Sequence, residues 1–223
     1  MKYIPKTVFA PRVYSFCFII GEIYLQVVAG SVKILYGIIL PKEINMAEFY
    51  NIDIVGYKTD LPVLQLPSGV KICFFNLHGD VEMTEHCGKE IAKLVKGCDV
   101  VITAESKGLQ LAHVTARELG QTRYAVCRKN KKLYMQDGIE SKVTSITTGY
   151  EQTLYLSKKD VDLIKGKKVA IVDDVISTGG SLKGIEEIVK KAGGEVYKRA
   201  FVLAEGDAKD RPDVCYLATI HIL

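Results

Sequence analysis

The sequence contains no tryptophan, and its net charge of +4 over 223 residues is small. A charge this weak gives no basis for expecting a nucleic-acid partner. Glycine and proline number 19 and 6, too few for a collagen-like or wholly disordered chain. The remaining composition, 48% hydrophobic and 25% charged residues, is that of a globular protein. The length suits one α/β domain with an appendage.

The cysteines lack the spacing of a metal site or a redox pair. They stand singly with no C-x-x-C motif, and the four histidines are equally scattered. We therefore expect reduced, mostly buried thiols in a cytoplasmic protein, and no structural metal site. The six are Cys17, Cys73, Cys87, Cys98, Cys127 and Cys215.

Residues 1–45 form an apolar, basic segment that differs from the rest of the chain. Positions 13–40 are apolar at 20 of 28 residues, but Glu22 and Lys33 limit the uncharged runs to nine and ten residues. A membrane-spanning helix needs about 20. Three interpretations stay open: an extension outside the folded enzyme, with a start at Met46; a packed N-terminal element; or a membrane or export segment. We favour the extension, and expect no membrane contact unless this segment is an anchor.

Strand and helix patterns alternate over residues 70–205, which predicts an α/β fold with a doubly wound parallel sheet. Apolar β-branched runs predict strands, and apolar positions three and four residues apart predict helices. The predicted strands are 70–76, 99–104, 122–127, 167–174 and 195–205, and the predicted helices are 81–97, 108–120 and 181–194. Alternating segments at 142–148 and 152–157 predict an exposed β-ribbon after a basic loop.

The segment 169–181, VAIVDDVISTGGS, carries the most specific pattern. An apolar strand brings Asp173 and Asp174 to its carboxyl end, and ligands bind at that edge of a parallel sheet. A glycine-rich turn with hydroxyl side chains then opens a helix, whose free backbone amides suit a phosphate. The carboxylates would suit the vicinal hydroxyls of a ribose, or a magnesium ion bound through its waters. An ordinary strand-turn-helix with a capping serine and solvated acids is the structural alternative.

This segment resembles the signature of type I phosphoribosyltransferases, which bind 5-phosphoribosyl-1-pyrophosphate (PRPP). Residues 103–108, TAESKG, resemble the family's pyrophosphate loop, and residues 128–133, RKNKKL, resemble the mobile flap of its adenine phosphoribosyltransferase group. The resemblance covers about residues 46–223. It implies the family's parallel core with a small hood and a β-ribbon flap.

The resemblance also implies a role for each matching residue. Asp173 and Asp174 would hold the ribose diol and, through water and PRPP, the cofactor Mg²⁺. Lys107 and Arg128 complete the implied catalytic set. The 5′-phosphate of PRPP would bind to Ser177, Thr178, Gly179, Gly180 and Ser181, and pyrophosphate to Glu105, Ser106, Lys107, Gly108, Arg128, Lys129 and Lys132.

The implied reaction transfers the phosphoribosyl group to a purine base in purine salvage, with adenine favoured and AMP and pyrophosphate as products. Ser177 stands where hypoxanthine–guanine enzymes carry an aspartate, which disfavours that branch. Adenine-, xanthine- and orotate-type enzymes tolerate a small residue there. A hood over residues 52–78 would cover the base, and Phe74, Phe75 and Asn76 could stack on it or read its edge, although either phenylalanine could be a core residue.

Two positions depart from the family pattern. Lys107 replaces the arginine usual in the pyrophosphate loop, and Tyr134 replaces the proline usual after the flap leucine. A xanthine- or orotate-type enzyme stays as an alternative, and so does a non-catalytic PRPP-binding regulator, since a fold does not fix a function. Because the family is usually dimeric, we expect a homodimer whose ligands are PRPP and a purine base.

Overall fold

The computed structural model of the chain describes residues 26–28, 31–33, 48–66, 69–144 and 151–221. The chain divides into two units, residues 1–43 and 44–223. In the first unit, β1 (Gln26–Val28) and β2 (Ser31–Lys33) pair as an antiparallel hairpin. The rest of the apolar segment, on which its three interpretations depend, lies outside the described residues. The domain boundary at residue 46 therefore stays a prediction.

A small antiparallel sheet forms the predicted hood. Its strands, in spatial order, are β3 (Phe49–Ile54), β4 (Tyr57–Gln65) and β5 (Lys71–Cys73). The turn between β3 and β4 consists of Val55 and Gly56, whose φ angles are 52° and 89°. Two consecutive positive φ values are typical of a type I′ hairpin turn, which matches the twist of the strands that it joins.

Five parallel strands among the described residues form the central sheet. The sequence predicts the parallel sheet and four of these strands, but not the strand Cys215–Ile220, and the predicted strand at 70–76 belongs instead to the antiparallel hood. Their spatial order is β12–β11–β10–β6–β7, and every pairing in the sheet is parallel. The order places β10 in the centre, so that the carboxyl end of β10 lies between those of β11 and β6. The bounds are Val100–Ala104 for β6, Ala125–Cys127 for β7, Lys168–Ile176 for β10, Glu195–Glu205 for β11 and Cys215–Ile220 for β12.

Four helices in the described part of the chain cover the two faces of this sheet. They are α1 (Val81–Leu94), α2 (Gly108–Glu118), α3 (Lys158–Ile164) and α4 (Gly180–Lys191). Side chains alternate along β10: Ala170 and Val172 pack into one core with α1 and α2, while Val169 and Ile171 pack into a second core with α3 and α4. Burial on both faces explains why the strand is a nearly continuous apolar run.

The predicted ribbon consists of β8 (Ile139–Thr144) and β9 (Glu151–Leu156), which pair antiparallel. It packs along α4, where the hydroxyl of Ser141 donates to Oε2 of Glu187 at 2.6 Å. A short 3₁₀ helix, Gly206–Asp210, follows β11. Among the described residues, no helix is both long enough and apolar enough to cross a bilayer. The described cysteines are free thiols: Cys73, Cys87, Cys98, Cys127 and Cys215.

Candidate active site

Asp173 and Asp174 lie at the carboxyl end of the central strand β10 and form the centre of the candidate site. Asp174 is only 7% exposed, and no hydrogen-bond donor among the described residues reaches its Oδ2. The backbone N–H of Asp174 donates to Oδ1 of Asp173 at 3.0 Å. A buried carboxylate oxygen without a donor is unfavourable in a folded protein, so this atom is suited to a ligand.

Burial and the neighbouring carboxylate of Asp174 raise the pKa of Asp173 well above its ordinary value of 3.8. The positive charge of Lys129 acts in the opposite direction and lowers the pKa of Asp173. Lys129 belongs to the predicted flap, so the flap lies within electrostatic reach of the carboxylate pair. A perturbed carboxyl group of this kind is typical of functional sites.

Helix α2 begins directly against the carboxylate pair, and this close approach requires a glycine. A Cβ atom at Gly108 would lie 2.5 Å from Oδ1 of Asp173 and 2.1 Å from Oγ1 of Thr103. Both neighbours are short side chains of buried strands, so they have little freedom to move. The glycine of the predicted pyrophosphate loop therefore lets the positive N-terminal end of α2 approach Asp173.

Lys107 connects the carboxylate pair to the end of the hood. Its Nζ lies 3.5 Å from Oδ2 of Asp174 and donates a hydrogen bond of 3.2 Å to the carbonyl oxygen of Phe75. It also lies 5.3 Å from the ring centre of Phe74, a distance typical of a cation–π contact. The structure thus brings together the residues predicted for ribose, pyrophosphate and base.

Glu105 connects the predicted pyrophosphate loop to the beginning of the flap. Its Oε1 accepts a hydrogen bond from the backbone N–H of Lys129 at 2.6 Å, and its Oε2 lies 2.6 Å from Nε of Arg128. The Glu105–Ser106 peptide bond is cis. The Arg128 side chain is thus paired with Glu105 of the pyrophosphate loop, whereas the Lys129 side chain is exposed.

The glycine-rich turn after β10 leads into α4, with Thr178 and Ser181 exposed and Ser177 half-buried. Gly179 is the N-cap residue of α4 and has a φ of 80°, a conformation that residues with a Cβ rarely adopt. A Cβ at Gly179 would lie 2.5 Å from Nη1 of Arg211. The phosphate-binding turn predicted by the sequence is thus open and has an arginine beside it.

The three predicted base-binding residues have different surroundings. The side chain of Phe74 is 40% exposed, whereas Phe75 is 2% exposed and packs in the core. Strand β5 ends at Cys73, so the prediction of a strand through residue 76 was too long. Asn76 is half-buried, and its Oδ1 accepts a hydrogen bond from the backbone N–H of His78 at 3.1 Å. Phe74 therefore offers the more accessible of the two rings.

Lys132 is a predicted site residue that lies outside these contacts. Its carbonyl oxygen accepts a hydrogen bond from the backbone N–H of Met135 in a turn, and its side chain is half-buried. The neighbouring Leu133 and Tyr134 are 93% and 70% exposed. This part of the flap projects from the described surface.

Arg211 was not among the residues predicted from the sequence. It follows the 3₁₀ helix after β11, and β11 is the strand next to β10. The signal that could have identified it is its place in the chain, because segments after parallel strands meet at the same edge of the sheet.

Comparisons with known proteins agree with this architecture. The phosphoribosyl transferase domain family matches residues 82–222. The chain is 30% identical over 174 residues to an adenine phosphoribosyltransferase of Methanococcus maripaludis, covering 77% of this chain and 90% of the relative. It is 27% identical over 144 residues to xanthine phosphoribosyltransferase 2 of Clostridium botulinum, covering 63% of this chain and 75% of the relative.

Solved structures share the fold. The adenine phosphoribosyltransferase of Thermoanaerobacter pseudethanolicus has a TM-score of 0.57 and 23% identity, over 67% of this chain and 89% of that one. The adenine phosphoribosyltransferase of Trypanosoma brucei, solved with AMP, pyrophosphate and ribose-5-phosphate, has a TM-score of 0.53 and 18% identity, over 82% of this chain and 81% of that one. With a family match that spans more than half of its length, the chain belongs to the type I phosphoribosyltransferases, a family of enzymes.

Proposed function

We propose that the protein transfers the phosphoribosyl group of PRPP to a purine base, with adenine as the favoured acceptor, and releases pyrophosphate and a nucleoside 5′-monophosphate. The observation that carries the proposal is the carboxylate pair of Asp173 and Asp174, which precedes an open, glycine-rich helix N-terminus by a few residues. An acidic pair for the ribose hydroxyls and a turn for the 5′-phosphate match the two ends of the phosphoribosyl group.

Different residues bind the 5′-phosphate, the ribose and the pyrophosphate of the substrate. The turn Ser177–Ser181 binds the 5′-phosphate with backbone amides and hydroxyls, and the carboxylates accept hydrogen bonds from the ribose diol. Lys107 moves from Asp174 to the pyrophosphate, because the anion offers more negative charge than a single carboxylate. Gly108 and the preceding residues Glu105 and Ser106 form the backbone of the pyrophosphate loop.

The chemistry breaks the bond between C1 of the ribose and the pyrophosphate oxygen, and forms a bond from C1 to a ring nitrogen of the base, which loses a proton. Positive charge develops on the ribose as negative charge leaves with pyrophosphate, so cationic side chains stabilise the transition state. Arg128, Lys129 and Lys132 supply such charge from the flap, which also excludes water when it closes. For the flap to close over the substrate, Arg128 must break its ion pair with Glu105 and pair with the substrate instead.

The carboxylate pair also fits Mg²⁺ that arrives with the substrate. Among the described residues, no cluster of three or more His, Cys, Asp or Glu side chains forms a metal cage. Mg²⁺ commonly binds to one or two carboxylates together with substrate phosphates and water, and Oδ2 of Asp174 is buried without a donor. Held by Asp173 and Asp174 through water, the ion would neutralise charge on the departing pyrophosphate.

The choice of adenine depends on the hood and the flap. Phe74 lies beside Lys107 with its ring exposed, so a base stacked there would be close to the transferred ribose. Ser177 offers no carboxylate to a 6-oxopurine. The similarity to relatives named for adenine and for xanthine makes xanthine the second candidate. An orotate-type enzyme and a non-catalytic PRPP sensor rank below both.

A panel of bases tests the proposal. The protein is incubated with Mg²⁺, PRPP and adenine, hypoxanthine, guanine, xanthine or orotate, and the products are separated by chromatography. We expect AMP from adenine as the main product. Turnover of xanthine alone would replace adenine by the second candidate, turnover of orotate alone would contradict a purine substrate, and PRPP binding without any turnover would favour the sensor.

The assembly and location of the protein are part of the same proposal. A homodimer follows from the family, and light scattering of the purified full-length chain measures it directly. We expect the protein in the cytoplasm, with no role for nucleic acid. Fractionation of the native cells tests the location.

A further inference from the structure

Arg211 is held in a fixed orientation beside the turn at the start of α4. Its Nε donates to Oδ1 of Asp213 at 3.0 Å, and its Nη2 donates to Oδ2 of the same carboxylate at 2.8 Å. Asp213 also lies 3.8 Å from Nε of Arg199, whose guanidinium pairs with Glu186 of α4. A two-point contact of this kind fixes the plane of a guanidinium group.

The outer edge of this guanidinium faces the turn. Arginine has five N–H donors, and Asp213 accepts from two of them. Nη1 has no acceptor among the described residues and lies 2.5 Å from the position that a Cβ of Gly179 would occupy. Because Gly179 has no side chain, an anion seated on the turn could reach these donors and the backbone amides of α4 together.

A second observation, independent of Arg211, points to a ligand beside this turn. Asp174 precedes the turn by a few residues, is more than nine-tenths buried, and has an Oδ2 without a hydrogen-bond donor among the described residues. The turn thus has unpaired donors beside it, and the carboxylate that precedes it has an oxygen that accepts no hydrogen bond among the described residues, with Nζ of Lys107 at 3.5 Å. A phosphorylated sugar has the complementary groups, a phosphate for the donors and hydroxyls for the carboxylate.

We propose that Arg211 binds the 5′-phosphate of the phosphoribosyl substrate, with Asp213 as its positioning residue. The inference rests on the proposed function, because it takes the turn Ser177–Ser181 as the 5′-phosphate site. It adds a cationic side chain to a site otherwise built from backbone amides and hydroxyls. A dianionic phosphate binds more tightly to amides when a guanidinium completes its coordination.

Two ligands test the two proposed anion sites separately. Ribose 5-phosphate carries the group proposed to bind at the turn Ser177–Ser181, and inorganic pyrophosphate is the group proposed to bind at the pyrophosphate loop. We expect Arg211→Ala to bind ribose 5-phosphate about 10- to 100-fold more weakly in calorimetric titrations, the loss of a charged hydrogen-bond donor. Pyrophosphate binding in the same variant should stay within about twofold. The matched control is Arg117→Ala, because Arg117 is paired with Glu85 in the same two-point manner but lies at the far end of α2.

The outcomes are distinct. Unchanged ribose 5-phosphate binding by Arg211→Ala would overturn the inference, and equal loss of both ligands would overturn it by showing that Arg211 acts through the fold. If this variant does not fold, Arg211→Lys keeps one positive charge and should bind ribose 5-phosphate several-fold more weakly than the wild type, with pyrophosphate binding unchanged. If Arg211→Lys binds both ligands as tightly as the wild type does, the inference is wrong. Wild-type protein that binds no ribose 5-phosphate would instead contradict the proposed function, before any variant is compared.

Discussion

Asp174 is a residue whose position favours ligand binding over the stability of the ligand-free protein. Its carboxylate is buried beside that of Asp173, and the one cation near its Oδ2 is Lys107 at 3.5 Å among the described residues. Two adjacent carboxylates repel each other, and burial removes the water that would stabilise them. A carboxylate in such a position costs stability, and perturbed carboxylates of this kind are typical of functional sites.

The substitution Asp174→Asn separates these two effects. We expect kcat/KM with PRPP to fall by about 100-fold or more, the effect of losing a buried charged partner. The free energy of unfolding in urea should stay unchanged or rise, because the substitution removes a buried charge that repels the neighbouring carboxylate of Asp173. Lys198→Ala is the control, since Lys198 lies at the amino half of β11 and contacts the Tyr197 ring. Its activity should stay within about twofold, and equal effects of both substitutions would mean that the site is misplaced.

The pKa of Asp173 predicts how ligand-free stability depends on pH. Since its folded-state pKa is raised by burial and by Asp174, the folded protein binds this proton more tightly than the unfolded chain does. Its stabilising contribution is therefore complete below about pH 4 and is lost as the pH rises through the raised pKa. We expect Asp173→Asn to gain stability relative to wild type with rising pH, measured by urea unfolding at several pH values. Parallel pH profiles of the two proteins would contradict this prediction.

At the scale of elements, the start of α4 depends on the backbone conformation of Gly179. Its φ of 80° ends the extended strand and turns the chain into the helix. The neighbouring Gly180 has no positive φ, and a Cβ added to it would meet no atom within 4 Å. The two glycines thus differ in their physical requirement although they are adjacent in the sequence.

Alanine at each of these positions gives a matched pair of variants. We expect Gly179→Ala to lower the free energy of unfolding by about 1–2 kcal/mol, because a Cβ is strained in the left-handed region. Gly180→Ala should leave it unchanged or raise it by about 0.4–1 kcal/mol, because alanine reduces the freedom of the unfolded chain. Urea unfolding of the ligand-free variants measures both, and equal destabilisation would show that the conformation of Gly179 is not the cause.

Elements with a regular hydrophobic pattern could be predicted from the sequence, and those without one could not. The strand β10 and helices α1, α2 and α4 were identified. Asp80 caps α1, with its Oδ1 accepting from the N–H of Met83 at 2.9 Å. Helix α3 has two turns and buries only Ile164, which is too little for a periodic signal. The β3–β4 hairpin turns at Val55, a β-branched residue that sequence rules do not expect at a positive φ.

In the candidate site, too, some residues could be predicted from the sequence and others could not. Asp173, Asp174 and the turn after them were predicted because one continuous segment carries them. Arg211 lies 30 residues beyond that segment, and only the order of the strands brings it next to Gly179. The pairing of Arg128 with Glu105 was also unpredicted, because each residue alone fits an anion-binding loop or a solvated surface.

For the whole molecule, the second unit contains both hydrophobic cores. Every described member of the two cores lies between Ile52 and Ile220, on the two faces of the central sheet. We therefore expect a chain that starts at Met46 to fold and to retain PRPP-dependent turnover within about twofold of the full-length protein, since cores of this extent can fold alone. Activity assays and circular dichroism of the two chains test this. An unfolded or inactive shorter chain would show that residues 1–45 are part of the enzyme.

The hood is a sheet of its own, separate in its strand pairing from the five-stranded sheet whose central strand carries the carboxylate pair. On the proposed function, the part that selects the base and the part that handles the sugar phosphate are therefore built from different hydrogen-bonded networks. Substitutions could accumulate in the hood and alter the acceptor while leaving the transfer chemistry intact. Evolution or protein engineering could therefore change the specificity from adenine to xanthine by substitutions near Phe74, without changing the central strands.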